Sequence, residues 1–254
     1  MKKVFRYEAN EVYWDCRWEE AGLDRDGFED LSIYPISYAD EVVLSPQERV
    51  LELGAGLGRL LKHYHNLGYQ ICGLERSEPA VRRLRSDDPE LDIIQGDVQS
   101  LPYKDNEFDV VLAFGLYHNL EDGLHQALSE TARCLKAKGR FCISMRPQNI
   151  EMTLNECYWR WKKRHLDHGP RQFHKWLVHE SEFAQILSEY GLRVSRTHCA
   201  RNLSILHRVP WLRASSANES QNRARGYRLN PIGKGRADEH VEHVRGAHRQ
   251  PRRA

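Results

Sequence analysis

The feature that most constrains this chain is an apolar run ending in alternating glycines. Val50-Leu51-Glu52-Leu53 is followed by Gly54, Gly56 and Gly58. Leu60-Leu61-Lys62-His63-Tyr64-His65-Asn66-Leu67 then carries apolar residues at helical spacing. The continuous run of a buried strand gives way to a helical rhythm, and the glycines sit at the change. Glycine has no Cβ to hold backbone away from a ligand, and the first turn of a helix leaves its N–H groups unpaired. Strand, glycine turn and helix in this order open a doubly wound α/β fold at its ligand-binding edge. A G-x-G-x-x-G turn would close a pyrophosphate onto the helix. Here the third glycine comes one residue early, and Arg59 stands in the last place.

The alternation continues along the chain. Tyr69-Gln70-Ile71-Cys72-Gly73-Leu74-Glu75 reads as a second buried strand ending in an acid, 17 residues past Gly58. A second βαβ strand brings a carboxylate to a ribose at about this distance. Ser77 and Pro79 open the next helix, and Leu91–Gln95 is a third strand followed by Gly96-Asp97-Val98. Val110–Phe114 is the fourth strand, Gly123–Leu135 a helix, Lys136–Gly139 a turn and Arg140–Met145 the fifth strand. Ser181–Gly191 is an amphipathic helix. Arg193–Cys199 and Leu203–Arg208 read as an antiparallel hairpin completing the sheet. The expected fold is α/β: a seven-stranded, mostly parallel sheet with helices on both faces and the last strand antiparallel.

Glu52-Leu53-Gly54-Ala55-Gly56-Leu57-Gly58 resembles the first motif of the Rossmann-like, class I S-adenosylmethionine-dependent methyltransferases. The order of the following parts resembles their type-11, ubiquinone-methylase-like branch. The resemblance implies S-adenosylmethionine as cofactor, no metal, and methyl transfer to a small-molecule acceptor by in-line displacement at the sulfonium methyl. It implies a cofactor site made of Glu52, Gly54, Ala55, Gly56 and Gly58, with Glu75 and Arg76 at the ribose. Asp97 and Val98 would meet the adenine, and Phe114-Gly115 at the end of the fourth strand would face the reactive methyl. His118 follows that strand and titrates near neutrality, which makes it the candidate general base. Tyr117 is a second catalytic candidate, for orienting the acceptor. A histidine in such a loop also commonly just packs. Two other readings share the fold: a protein that binds S-adenosylmethionine without turnover, and a nicotinamide-dependent oxidoreductase, against which the glycine spacing and Gly96-Asp97 argue.

Two segments break the alternation. Asn10–Gly22 reads as a short helix with Trp14 and Trp18 on one face, part of a helical cap over residues 1–45. Within the methyltransferase domain at 46–210, residues 146–178 read as a helical cap insertion rich in aromatic and basic residues. Insertions at this place in proteins resembling this one cover the acceptor pocket, so Arg146 and Trp159 are candidate substrate contacts. Arg146 would face an anionic acceptor.

Composition narrows the partners. Residues 213–254 hold ten Lys and Arg against four Asp and Glu, leaving the rest of a +2 chain mildly acidic. The folded part therefore gives no strong nucleic-acid signal, and residues 211–254 read as a basic, disordered tail. No apolar run approaches the ~18–20 residues that span a bilayer. Six scattered cysteines without a C-x-x-C pair suit reduced thiols in the cytoplasm. Oligomeric state has no signal in the sequence.

Overall fold

In the computed structural model the described residues are 1–6, 14, 35–149, 152–153, 156–158, 161, 171–202 and 239–249. The chain runs β1 (Lys2–Arg6), α1 (Ile36–Ala39), β2 (Arg49–Leu53), α2 (Arg59–Asn66), β3 (Gln70–Glu75), α3 (Glu78–Asp87), β4 (Ile93–Gln95) and β5 (Phe108–Ala113). After a 3-10 turn at Tyr117–Asn119 come α4 (Leu124–Cys134), β6 (Leu135–Met145), β7 (Gln172–Leu177), α5 (Glu180–Glu189), β8 (Leu192–Asn202) and β9 (Glu239–Arg249).

The main sheet has the order β4-β3-β2-β5-β6-β9-β8. Its first five strands are mutually parallel, and β9 runs antiparallel to both of its neighbours. Successive side chains of a strand point to opposite faces, and both faces here are apolar because both are covered. Val50, Val110, Leu112 and Cys142 join Leu60, Leu61, Tyr64, Val81 and Leu84 of α2 and α3 on one side. Their neighbours Leu51, Val111, Ala113, Phe141 and Ile143 join Leu124, Ala127, Leu128, Phe183 and Leu187 of α4 and α5 on the other. The expected fold class is therefore the observed one. None of the described helices is long and apolar enough to cross a membrane.

Three local expectations need correction. The expected turn at Lys136–Gly139 lies inside β6, which starts at Leu135. There, Phe108 and Val110 of β5 pair with Leu135 and Arg140, so β6 carries extra residues in a bulge. Gly139 at its end is closely packed: a Cβ there would come within 2.6 Å of the Leu135 side chain, which would have to shift.

The strand beside β8 is supplied by 239–249, within the expected disordered tail. The proposed strand Leu203–Arg208 lies outside the described residues. Polar residues obscure an apolar rhythm at 239–249; the strand is defined by backbone pairing to β6 and β8 on its two sides, which no local pattern reports. Finally, the expected helical cap of residues 1–45 opens on a strand. Lys2–Arg6 is a strand paired antiparallel with β7, so the cap combines the chain start with the 146–178 insertion as a two-stranded sheet. The Trp14–Trp18 helix falls almost wholly outside the described residues.

Candidate functional site

The site begins where β2 ends. Gly54, Gly56 and Gly58 all adopt left-handed backbone, with φ of 70°, 54° and 72°. At Gly58, the residue that starts α2, a Cβ would also lie 2.6 Å from the Leu84 side chain. The turn is anchored to the neighbouring strand by the Gly54 and Ala55 N–H groups, which donate to the Leu74 carbonyl at 2.8 and 3.2 Å.

Glu75, at the end of β3, is buried and holds the turn directly. Its Oε2 accepts the Gly56 N–H at 2.8 Å, and its Oε1 accepts the Ser77 N–H at 2.9 Å. Its own carbonyl accepts the Gly96 N–H at 3.0 Å, which sets Asp97 beside it. Asp97 is exposed; its Oδ1 accepts the Gln99 N–H at 2.9 Å, the Asx turn that fixes this loop. Gly56, Glu75 and Asp97 thus stand along one edge, outside the carboxyl ends of β2, β3 and β4. Arg76 is exposed at the same edge, and Val98 is buried in the core.

Glu52 has a different task. Buried, its Oε2 accepts the Leu61 N–H at 2.8 Å, capping the open first turn of α2. Burial, with Glu75 nearby, pushes its carboxyl up to about 8, so at neutral pH it is largely protonated. It supports the glycine turn from beneath.

The second half of the site follows β5. Gly115, with φ of 76°, has open space where a Cβ would stand. Its N–H donates to Ser144 Oγ at 2.7 Å, and its carbonyl accepts from Asn119 Nδ2 at 2.6 Å. Phe114 is half-buried against the α2–α3 side. Leu116 reaches the glycine turn, 3.2 Å from where a Cβ on Gly54 would lie, so the two loops are neighbours.

In the 3-10 turn the two catalytic candidates part. Tyr117 is fully buried in the core, with its hydroxyl 2.6 Å from Thr131 Oγ1 on α4. Burial raises its pKa far out of reach of proton transfer. The expectation that Tyr117 orients an acceptor is corrected: an aromatic ring beside a core helix is held there by apolar burial. His118 is 5% exposed, and its Nδ1 is buried without a hydrogen-bond partner among the described residues. Burial, then the charges of Arg146, Lys175 and His174, hold its pKa well below the ordinary histidine value.

Those neighbours come from the cap. The chain leaves β6 through Arg146 and returns at Val178, whose N–H donates to the Arg146 carbonyl at 3.0 Å. β7 lies over the 3-10 turn, and Trp176 Nε1 donates to the Leu120 carbonyl at 2.6 Å. Lys175 is buried and paired with buried Glu156 at 3.0 Å. Arg146 Nη1 is buried with no hydrogen-bond partner among the described residues. Trp159 lies outside the described residues.

Sequence reasoning missed Ser144, Asn119, His174, Lys175 and Glu156. Ser144 had a signal, as the polar residue of an apolar strand, Phe141-Cys142-Ile143-Ser144-Met145. The others had none: Asn119 sits in the 3-10 turn after β5, and His174, Lys175 and Glu156 belong to a cap with neither strand nor helix rhythm. A cleft of ≈ 240 Å³ lined by Arg49, Tyr69, Gln70, Ile71, Cys72 and Asp92 sits at the amino ends of β2 and β3, away from where α/β sheets bind ligands.

Residues 51–143 match the methyltransferase-domain family. Over 109 residues the chain is 31% identical to an uncharacterized methyltransferase of Alkaliphilus oremlandii, covering 42% of this chain and 50% of that protein. It is 33% identical over 106 residues to a demethylmenaquinone methyltransferase of Renibacterium salmoninarum, covering 41% and 44%. The chain thus spans about half the length of these curated relatives, or less. Among solved structures, a S-adenosylmethionine-dependent methyltransferase of Methanosarcina mazei superposes with a TM-score of 0.61 at 14% identity, over 86% of this chain and 99% of that one. The magnesium protoporphyrin IX methyltransferase of Synechocystis, solved with bound S-adenosylhomocysteine, gives 0.55 at 14% identity over 96% and 90%. Glycine turn, acidic strand end and sheet order agree with these likenesses: residues 51–143 match a methyltransferase domain, and the fold is the Rossmann-like one of these methyltransferases.

Proposed function

We propose that the chain binds S-adenosylmethionine along the carboxyl ends of β2, β3 and β4 and transfers its methyl group to a small-molecule acceptor under the cap. The observation that carries this reading is the contact between the Gly56 N–H and the Glu75 carboxylate, with Asp97 fixed alongside.

The residues present fit the cofactor. Three left-handed glycines keep the turn free of Cβ atoms, and Gly115 faces open space. Each Glu75 oxygen uses one lone pair on backbone and keeps another for a ribose hydroxyl. Asp97 has a carboxylate oxygen for the adenine amine, and Arg76 lies beside the same edge. When bound, S-adenosylmethionine supplies an electrophilic methyl carbon whose bond to sulfur breaks, both electrons staying on sulfur, as an acceptor lone pair attacks.

The chain's own residues align the partners and exclude water, an effect that reaches roughly 7–11 kcal/mol at its limit. His118 is neutral at physiological pH because of its burial and cationic neighbours, so its ring carries one N–H and one lone pair, the latter able to take an acceptor proton. The same neighbours make it a weak base. They equally lower the pKa of an acceptor hydroxyl beside them, which eases that proton's departure. Arg146 contacts the acceptor. Cys72, Cys134, Cys142 and Cys157 are free thiols.

Calorimetry with S-adenosylmethionine, S-adenosylhomocysteine and NAD tests the cofactor. Binding of the first two but not NAD supports the reading, and the reverse overturns it. Transfer of a radiolabelled methyl group to cell-extract metabolites distinguishes turnover from binding alone; saturable binding with no labelled product would leave only a binding protein.

A further inference from the structure

We infer that the acceptor is recognised as an oxyanion, a carboxylate or phosphate group, seated between Arg146 and His118 beneath the cap. The inference deepens the proposed function and rests on it for the identity of the site, not for the presence of the anion. Its basis is the pattern of unfilled donors. Arg146 Nη1 and His118 Nδ1 are both buried, and neither has a hydrogen-bond partner among the described residues. Buried polar groups are almost always paired, and a guanidinium N–H left without an acceptor is costly. Two such atoms on elements that face one another mark a place for a third party.

The elements do face one another. Ser144 Oγ holds the Gly115 N–H at 2.7 Å, joining the end of β6 to the loop that carries His118. Arg146 is two residues past Ser144, and His118 is three past Gly115. β7 closes over both: Val178 bonds back to Arg146 and Trp176 to the His118 turn. The charge at this place is positive. Arg146, Lys175 and His174 all act on His118, and Glu156 is the buried acid that pairs with Lys175. That pair is internally compensated, whereas Arg146 Nη1 has no hydrogen-bond partner among the described residues. A planar guanidinium fork suits a carboxylate or phosphate. A neutral imidazole beside it, with its proton on Nδ1, donates one further hydrogen bond to that anion.

The test reads the imidazole directly. Protein labelled with ¹⁵N-histidine is saturated with S-adenosylhomocysteine, and the His118 ring signal is identified by its loss in His118→Gln. Benzoate and inorganic phosphate are then titrated separately at constant ionic strength, with sodium chloride as the control. The expected result is a saturable shift of the His118 signal with at least one probe, weakened about tenfold or more in Arg146→Gln, which corresponds to ~1.4 kcal/mol. The probe that binds more tightly identifies the group. No saturable shift with either probe overturns the inference, as does a shift that Arg146→Gln leaves unchanged. Repeating the titration without S-adenosylhomocysteine, alongside calorimetry of that compound, separates the two readings. Anion binding without nucleoside binding would break the proposed function but not this inference, and nucleoside binding without anion binding would do the opposite.

Discussion

The two halves of the site are built in different ways. The glycine-turn edge is made of backbone: glycines in left-handed conformation, an N–H held by Glu75, and a turn fixed by Asp97. Its parts follow one another within residues 52–98, each at the end of its own strand. The cap edge is made of side chains from distant places, His118, Arg146, Glu156, His174 and Lys175, brought together when β7 returns over the loop after β5. The first half is set by local chain geometry and presents a fixed shape. The second is set by how a long insertion packs, and its chemistry depends on charge in a buried place.

The comparison breaks most visibly in kinetics. His118→Gln is expected to lower kcat by about 10²–10⁴, the usual contribution of a positioned acid or base, while S-adenosylhomocysteine affinity stays within about twofold. Parallel turnover and calorimetry check this, and equal losses in both would remove His118 from the chemistry. Glu75→Ala acts on the other half: losing charge-assisted hydrogen bonds of about 1.5–3 kcal/mol each should weaken S-adenosylhomocysteine by at least about tenfold. Arg146→Gln should leave that affinity unchanged. If the two substitutions weakened nucleoside binding equally, the division into halves would be wrong.

The halves should also answer pH with opposite signs. Glu52 is held up to about 8 in the folded chain against an ordinary value of 4.5. The folded state therefore keeps a proton that the unfolded state loses, and this contribution to stability drains away as pH rises from about 4.5 through 8. His118 is shifted down from 6.5. As pH falls through 6.5 the unfolded chain takes up a proton that the folded chain refuses, and stability drops on the acid side. Urea midpoints between pH 5 and 9 should show Glu52→Gln flattening the alkaline limb and His118→Leu flattening the acid limb. Unchanged limbs in both variants would contradict the burial argument.

Much of the first half was legible in the sequence. Gly54, Gly56 and Gly58 announce a turn that needs φ > 0, and a strand ending in Glu75 announces a carboxylate at a sheet edge, because both depend on local geometry. Glu52 was assigned to the cofactor; its carboxyl Oε2 accepts the Leu61 N–H at the start of α2, and the motif told where the acid lies but not which way it points. The second half was less legible. Arg146 stood out as a charge at a strand end, but Lys175 and Glu156 pair across a segment without periodicity. Tyr117 and His118 are adjacent in sequence yet face a core helix and a buried polar site, a choice made by packing. The last strand was missed because β9 takes its conformation from pairing with β6 and β8.

The smallest effect sharpens that last contrast. Tyr117→Phe removes only the hydroxyl facing Thr131, and should cost about 1 kcal/mol of stability with kcat and nucleoside affinity unchanged. A fall in kcat at unchanged stability would return Tyr117 to the catalytic set.

The most direct test of the account is a crystal structure of the protein with S-adenosylhomocysteine. It should show the ribose hydroxyls on the Glu75 carboxylate, the adenine beside Asp97 and Val98, and the sulfur turned toward Gly115 and His118. A nucleoside bound at another face of the sheet, or one that leaves Glu75 without contact, would contradict it.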